Sequence, residues 1–205
     1  MTEIKDVKVY DLEECIIASG YAMRIAPYDY LEESVDDNLD HHIERCKKLV
    51  KASKNSGIHC HDNFLTGIRV SFDIKYPQYW TPEFQRYHFA DIVTSSSKMH
   101  RLCKMDLSRS CNQYVDSRVL EVMREKVEKY NQDQTYENFM NVISNCPMGL
   151  ELFMRVSTNY KQLQTIYFQR KNHKLQEDWG AFCKMIEDLP YFKELILGEY
   201  EEDQK

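Results

Sequence analysis

Residues 67–75 read Gly67-Ile68-Arg69-Val70-Ser71-Phe72-Asp73-Ile74-Lys75, and their apolar and polar side chains alternate. Alternation with a period of two is typical of a β-strand that buries one face and exposes the other. No other segment of the chain has so clear a strand pattern. The flanking segments are therefore interpreted relative to this strand.

The segments on both sides of this strand have other patterns. Before it, residues 5–10 are expected to form a short strand, 14–23 an apolar segment of either type, and 37–53 an amphipathic helix. After it, Thr81-Pro82-Glu83 has the composition of a helix start. This predicts a helix from residue 81 to about 92, followed by a polar turn over residues 94–97.

The C-terminal half is predicted to be helical, over residues 116–131, 135–145, 148–156, 159–171 and 178–188. Strands early in a chain and helices late in it indicate an α+β fold rather than repeated βαβ units. A chain of 205 residues fits one domain. We therefore expect a single α+β domain over residues 1–205, with a small antiparallel or mixed sheet and a mostly helical C-terminal half.

Charge and composition exclude several classes of protein. The formal net charge of −6 gives no general attraction to a polyanion, so duplex nucleic acid is not an expected partner. No apolar run approaches the roughly 20 residues that cross a bilayer, and the N-terminus lacks a signal-peptide pattern, so we expect a cytoplasmic protein without a membrane partner. The seven cysteines have no CxxC spacing and are expected to remain thiols.

Common motifs of catalysis and metal binding are absent. The sequence contains no GxGxxG after a strand, no P-loop, no HExxH and no GxSxG. His59-Cys60-His61 resembles a ligand cluster, but adjacent residues in an extended segment point in opposite directions and no second pair lies at zinc spacing. We therefore predict no metal site. Because the glycines are dispersed, side chains or helix ends must hold any phosphate.

Two polar segments have side chains that suit nucleotide binding. In the first, over residues 86–101, hydroxyl groups beside Lys98 suit a phosphate monoester, although a solvated surface turn would have the same composition. The second, over residues 159–173, carries Asn159, Lys161 and Arg170 and could equally be a charged surface helix.

In their order along the chain, these segments resemble a flavin-dependent thymidylate synthase. That family has a histidine ahead of a strand with the pattern FxF, a connection containing proline, and then the motif RHRxxSxNExSxR. The corresponding residues here are His61, the strand Ile68-Arg69-Val70-Ser71-Phe72, Pro77, and Arg86-Tyr87-His88-Phe89-Ala90-Asp91-Ile92-Val93-Thr94-Ser95-Ser96-Ser97-Lys98. A second family pattern, NLRxLxxFLxLR, is similar to residues 159–170. The resemblance spans about residues 15–185.

The resemblance implies an α+β domain that assembles as a homotetramer and holds flavin adenine dinucleotide (FAD) and deoxyuridine monophosphate (dUMP) at subunit interfaces. It implies the following cofactor contacts: His61, Arg86, His88, Asn159 and Lys161. It implies the following substrate contacts: Glu83, Thr94, Ser96, Ser97, Lys98 and Arg170. Arg170 would lie by the pyrimidine and stabilise negative charge on the ring, which makes Arg170 and Ser96 the catalytic candidates. NADPH and methylenetetrahydrofolate would be the co-substrates.

Several motif positions differ from the family pattern. Tyr87 and His88 replace a histidine and an arginine, and histidine is largely neutral at pH 7. Further differences are Asp91, Val93 and Thr94 in place of serine, asparagine and glutamate, and Glu83 in place of a glutamine. The phosphate end keeps a hydroxyl at Ser96 and a cation at Lys98.

Three functions follow from these observations. The first is flavin-dependent transfer of a methyl- or hydroxymethyl-type group to carbon 5 of a pyrimidine deoxynucleotide, with dUMP as the default substrate. The second is a non-catalytic protein of the same fold that binds a nucleotide through Ser96, Lys98 and Arg170. The third is a structural or interaction protein that shares only the packing of the fold.

Overall fold

The computed structural model describes residues 2–23, 38–56 and 60–199. Its strands are β1 (Glu3–Tyr10), β2 (Arg69–Pro77), β3 (Asp91–Ser95) and β4 (Glu151–Asn159). Its α-helices are α1 (Leu12–Ala18), α2 (Leu39–Ser56), α3 (Thr81–Phe84), α4 (Lys98–Arg101), α5 (Leu107–Ser110), α6 (Ser117–Gln132), α7 (Tyr136–Ser144), α8 (Tyr160–Arg170) and α9 (Gln176–Glu187). Short 3-10 turns connect several of these elements, and a π-helix spans Phe192–Leu197.

The described strands form one antiparallel sheet in the order β1-β2-β4-β3. β2 pairs with β4 along its whole length, from Arg69 opposite Asn159 to Pro77 opposite Glu151. β1 and β3 are the edge strands, and the register of each shifts once against its neighbour. The α+β fold with a small antiparallel sheet is therefore confirmed.

One face of the sheet is buried under α8 and α9. The alternation in β2 buries Val70, Phe72 and Ile74 completely and leaves the intervening polar residues partly exposed. On α9, Phe182 packs edge-to-face on Phe72, with 5.6 Å between the ring centroids. Burial of these side chains is the main driving force that holds the helices on the sheet.

An aromatic cluster joins the segment after β2 to α9. Trp80 stacks on Phe84 and packs against Trp179, with 4.7 Å between ring centroids in both pairs. The indole N–H of Trp80 is buried and has no hydrogen-bond acceptor within the described residues. The cluster fixes α3 and α9 relative to each other, at a cost from that unpaired donor.

The helix predicted over residues 81–92 is wrong. The Thr81-Pro82-Glu83 signal does begin a helix, but α3 ends at Phe84, and residues 91–95 form β3. Ile92, Val93 and Thr94 are β-branched and therefore favour a strand once a partner is available. β4 provides that partner, because Ile92 lies opposite Val156.

The helix predicted over residues 148–156 is also wrong, because residues 151–159 form β4. Leu152, Met154 and Val156 are buried at alternate positions, which is the period of a strand. The helices predicted over 37–53, 116–131, 135–145, 159–171 and 178–188 are confirmed within a few residues, although Asp37 lies outside the described residues. The segment of either type at 14–23 overlaps α1 and a 3-10 turn.

In the described part of the chain, no helix combines the length and the apolar character that a membrane span requires.

We expect Trp80→Ala to lower the free energy of unfolding by about 3–5 kcal/mol, because it opens a cavity in the aromatic cluster. Trp80→Phe should cost less than about 1.5 kcal/mol, because it keeps the ring contacts and removes the unpaired N–H. Urea denaturation of the two variants measures both values. Equal losses for phenylalanine and alanine would contradict this account of the cluster.

Candidate functional site

One side of α8 borders a groove made of two adjoining cavities, called here the α8 groove. The larger cavity has a volume of about 650 Å³ and the smaller about 310 Å³. Both are lined by Phe89, Gln162, Thr165 and Gln169. The larger also reaches Lys54, Thr66, Asn159, Lys161, Gln164 and Phe168, and the smaller reaches Arg86, Tyr87, His88 and Arg170. These volumes lie in the usual range for small-molecule sites.

Asn159 fixes the point where β4 becomes α8. Its backbone is extended, and its side-chain oxygen accepts a hydrogen bond of 2.8 Å from the backbone N–H of Gln162, which is a helix N-cap. The NH₂ group of Asn159 has no acceptor among the described residues, and the residue lines the larger cavity. A ligand carbonyl or phosphate oxygen can therefore accept from it.

Phe89 is held by its backbone, although the residue is 70 % exposed. Its N–H donates to the side-chain oxygen of Gln162 at 3.3 Å, and its carbonyl accepts from the Thr158 hydroxyl at 2.8 Å. The NH₂ group of Gln162 has no acceptor in the described ranges. The groove therefore presents a positioned aromatic ring beside a free amide donor.

Lys161 does not offer a free charge to the larger cavity. Its ammonium group forms an ion pair with Asp62 and also donates to the side-chain oxygen of Gln164 at 3.3 Å. Asp62 is fully buried and accepts a second hydrogen bond, of 2.8 Å, from the Ser53 hydroxyl. A carboxylate therefore already neutralises the cation expected to contact a cofactor.

His61 precedes this carboxylate in the chain and lines a third cavity, of about 360 Å³. That cavity shares Thr66 with the larger cavity of the α8 groove. Two of the five residues expected as cofactor contacts, His61 and Lys161, thus line neighbouring cavities.

Arg170 lies in the smaller cavity, and its side chain is 14 % exposed. Its Nη1 donates to the Glu83 carboxylate at 3.1 Å, and its Nε donates to the Tyr87 hydroxyl at 2.6 Å. The guanidinium also lies over the Trp179 ring, 4.6 Å from the centroid. A guanidinium has five N–H donors, so three remain without an acceptor in the described structure.

The partners of Arg170 are themselves fixed. The indole N–H of Trp179 donates to the same Glu83 oxygen at 2.8 Å, and the imidazole of His173 lies 3.4 Å from that oxygen. Tyr87 is buried and donates its hydroxyl to the Gln169 side chain, and burial raises the pKa of Tyr87. In this chain Tyr87 is therefore a core residue that orients Arg170.

Arg86 and His88 are exposed at the smaller cavity. The Arg86 guanidinium forms no ion pair among the described residues. Of the two basic side chains, only that of Arg86 is charged irrespective of pH. Arg86 is therefore available to an anionic ligand in the groove.

The serine-rich segment lies elsewhere. Ser96 exchanges hydrogen bonds with Phe153 on β4, through its backbone N–H at 2.8 Å and its hydroxyl at 3.1 Å. From Phe153 to Asn159 the strand advances roughly 20 Å. Lys98 donates to the neutral side chain of Gln78 at 2.9 Å and forms no ion pair among the described residues.

The structure therefore brings only some of the predicted site residues together. Five lie on the walls of the α8 groove: Arg86, His88, Asn159, Lys161 and Arg170. Glu83 joins them through Arg170, whereas Thr94, Ser96, Ser97 and Lys98 line neither cavity of the groove. In the described ranges no group of three or more histidine, cysteine, aspartate and glutamate side chains could hold a metal ion, and His59 lies outside them.

Sequence reasoning missed Lys54, Phe89, Gln162 and Phe168, which also line the groove. Phe89 follows two basic motif residues, but its exposure depends on β3 and β4. Lys54 belongs to α2, far from the motifs in sequence, and nothing in its local sequence indicates that it reaches α8.

The fold and the groove define an α+β protein with two adjoining cavities along α8. No protein-family model matches the sequence, and no curated protein matches it. Solved structures do match.

Thymidylate synthase X of Helicobacter pylori, with FAD and dUMP, has a TM-score of 0.65 and 15 % identity, over 96 % of this chain and 97 % of that one. A second structure of that flavin-dependent synthase, also complexed with FAD and dUMP, has a TM-score of 0.65 and 16 % identity over 95 % and 96 % of the two chains. A UMP/dUMP methylase of Streptomyces cacaoi, bound with 5-Br dUMP, has a TM-score of 0.57 and 13 % identity over 82 % and 76 %. At these identities the likeness shows the fold.

We expect Asp62→Ala to lower the free energy of unfolding by about 2–4 kcal/mol, because it leaves the Lys161 charge without its carboxylate and the Ser53 O–H without its acceptor. Adding Lys161→Met should recover part of that loss, because the unpaired charge is then removed as well. Urea denaturation of the single and double variants measures the coupling. Strictly additive losses would show that the ion pair does not couple the two residues.

Proposed function

We propose that this protein is a flavin-dependent enzyme that transfers a methyl- or hydroxymethyl-type group to carbon 5 of a pyrimidine deoxynucleotide, with dUMP as the default substrate. The observation that carries the proposal is the α8 groove, where Asn159, Arg86 and Arg170 present unpaired donors on a fold shared with enzymes solved with FAD and dUMP. The methylase with 5-Br dUMP adds a second neighbour that acts on a uridine nucleotide.

The larger cavity fits a flavin nucleotide in size and in chemistry. Its volume of about 650 Å³ suits a large ligand, and its walls combine the exposed Phe89 ring with the free amide donors of Asn159 and Gln162. FAD, when bound, supplies the redox chemistry of the reaction. The protein residues bind and orient it: Asn159 and Gln162 through their amides, with His61, Arg86, His88 and Lys161 as further contacts.

Arg170 is the proposed catalytic residue. Its three unassigned N–H donors and its fixed orientation suit a pyrimidine oxygen on which negative charge develops. Tyr87 and Trp179 hold the guanidinium in place, so little reorganisation is needed when the ring becomes charged. Glu83 offsets part of its positive charge and so weakens the stabilisation that it gives.

The nucleotide phosphate is assigned to Ser96, Ser97 and Lys98, with Thr94 beside them. The hydrogen-bond partner of Lys98 is the neutral side chain of Gln78 rather than a carboxylate, which supports that role. Since these residues line neither cavity of the groove, we propose that a second copy of the chain presents them to the Arg170 of the first. A homotetramer with sites between subunits meets this requirement.

The one-carbon donor and the reductant are proposed to be methylenetetrahydrofolate and NADPH. Transfer of a methylene group and its reduction to a methyl group require two electrons, which NADPH can provide. The non-catalytic alternative is not favoured, because the named neighbours are a synthase and a methylase.

After incubation with FAD and removal of unbound FAD by gel filtration, the protein should retain flavin absorbance bands, and NADPH should bleach them. With dUMP and methylenetetrahydrofolate it should form thymidylate. Arg170→Lys should lower kcat by about 100-fold or more, because lysine cannot reproduce the planar donor fork.

The matched control is Arg109→Ala, which changes an arginine that is 89 % exposed on α5 and should leave kcat unchanged. A protein that is colourless after gel filtration from added FAD would falsify the proposal.

Glu83→Gln should tighten dUMP binding by about 3- to 10-fold, because glutamine keeps a hydrogen-bond acceptor for Arg170 but removes the offsetting charge. Isothermal titration at low salt measures the dissociation constant. Glu125→Gln on α6 makes the same change in net charge outside the groove and serves as the control. An unchanged affinity in Glu83→Gln would mean that the Arg170 charge does not contact the nucleotide.

A further inference from the structure

The α8 groove lacks free positive charge where the family motifs would supply it. Lys161 is paired with Asp62 and Arg170 with Glu83, and His88 stands where the family motif has an arginine. Of the residues carried over from the motifs, Arg86 alone keeps an unpaired guanidinium in the described groove. A cofactor with two phosphate groups needs more charge than this residue supplies.

Two other lysines converge on a ring at the edge of the larger cavity. The Lys54 ammonium, on α2, lies 4.7 Å from the centroid of Phe168, and the Lys171 ammonium, just after α8, lies 5.3 Å from the same centroid. Phe168 and Lys54 both line the cavity. An aromatic face attracts cations, so the ring holds both lysine heads beside the groove.

Neither lysine forms an ion pair with a described carboxylate, although Glu199 lies near enough to Lys54 to raise its pKa. Lys54 donates to the backbone carbonyl of Leu197, a neutral acceptor, and neither ammonium forms an ion pair within the described ranges. The pKa of Lys54 is lowered from its usual value, mainly by desolvation. Glu199 opposes this shift, and the positive charge of Lys171 adds to it. Two cations held on one ring repel each other, and an anion between them would relieve that repulsion.

We propose that Lys54 and Lys171 bind the pyrophosphate of the dinucleotide cofactor at the Phe168 end of the α8 groove. The inference rests on the proposed function, because the cofactor is the one proposed there. It gives this chain a phosphate subsite built from residues outside both family motifs. Ammonium groups suit this role, because charge-assisted hydrogen bonds to phosphate oxygens are strong.

The test compares FAD with riboflavin, which lacks both the pyrophosphate and the adenosine. Binding of FAD and of riboflavin, which has no phosphate, is measured by flavin fluorescence for the wild type, Lys54→Gln, Lys171→Gln and the double variant. FAD affinity should fall by about 10-fold in each single variant and by about 50-fold or more in the double variant. Riboflavin affinity should stay within about twofold of the wild-type value.

Matched variants separate charge from structure. Lys54→Arg keeps the charge and should retain most of the FAD affinity, whereas Lys48→Gln and Lys174→Gln remove exposed lysines on either side and should change nothing. Melting temperatures of all variants check that the fold is intact.

Each outcome decides the inference. Wild-type FAD affinity in the double variant overturns it and leaves the proposed function standing. Parallel loss of FAD and riboflavin binding also overturns it, because the defect then does not depend on phosphate. A wild-type protein that binds neither flavin overturns the proposed function and this inference together.

Discussion

β2 and β4 pair along the full length of β2, and this ladder determines where the groove residues lie. Because β4 passes directly into α8 at Asn159, the end of the ladder sets the start of the helix. The N-cap then orients the first turn of α8, from which Gln162 reaches the backbone of Phe89. The groove walls are thus positioned by backbone pairing and one capping side chain rather than by contacts with a ligand.

Charge compensation is the second organising feature of the groove. Two of its cations have carboxylate partners distant in sequence, at Asp62 and Glu83, and both pairs are largely shielded from solvent. Partly buried charges are costly unless paired, so these contacts stabilise the fold and at the same time reduce the attraction for anions. Binding of an anionic ligand then depends on Arg86 and on the lysines around Phe168.

The separation of the serine-rich segment from Arg170 constrains any mechanism. Within one copy, Ser96 is hydrogen-bonded to Phe153 on β4. Arg170 is instead hydrogen-bonded to Tyr87 and Glu83, which precede β3 in the chain. The proposed reaction, which needs both groups on one nucleotide, is for this reason assigned to a site shared with a second copy of the chain. This is a geometric reason for the proposed oligomer, independent of composition.

The sequence by itself determined the α+β class, the β2 strand and the helices α6 to α9. It wrongly predicted one further helix, over residues 148–156, where the structure has β4. These features depend on local periodicity, and helical hydrogen bonds join residues near in sequence. The placement of Asn159, Lys161 and Arg170 on one helix and its N-cap could also be predicted from the sequence. Only the tertiary structure decided β3 and β4, since a strand takes its hydrogen bonds from residues distant in the chain. For the same reason, the partners Asp62 and Glu83, the exposure of Phe89 and the convergence of Lys54 and Lys171 on Phe168 could not be predicted from local sequence.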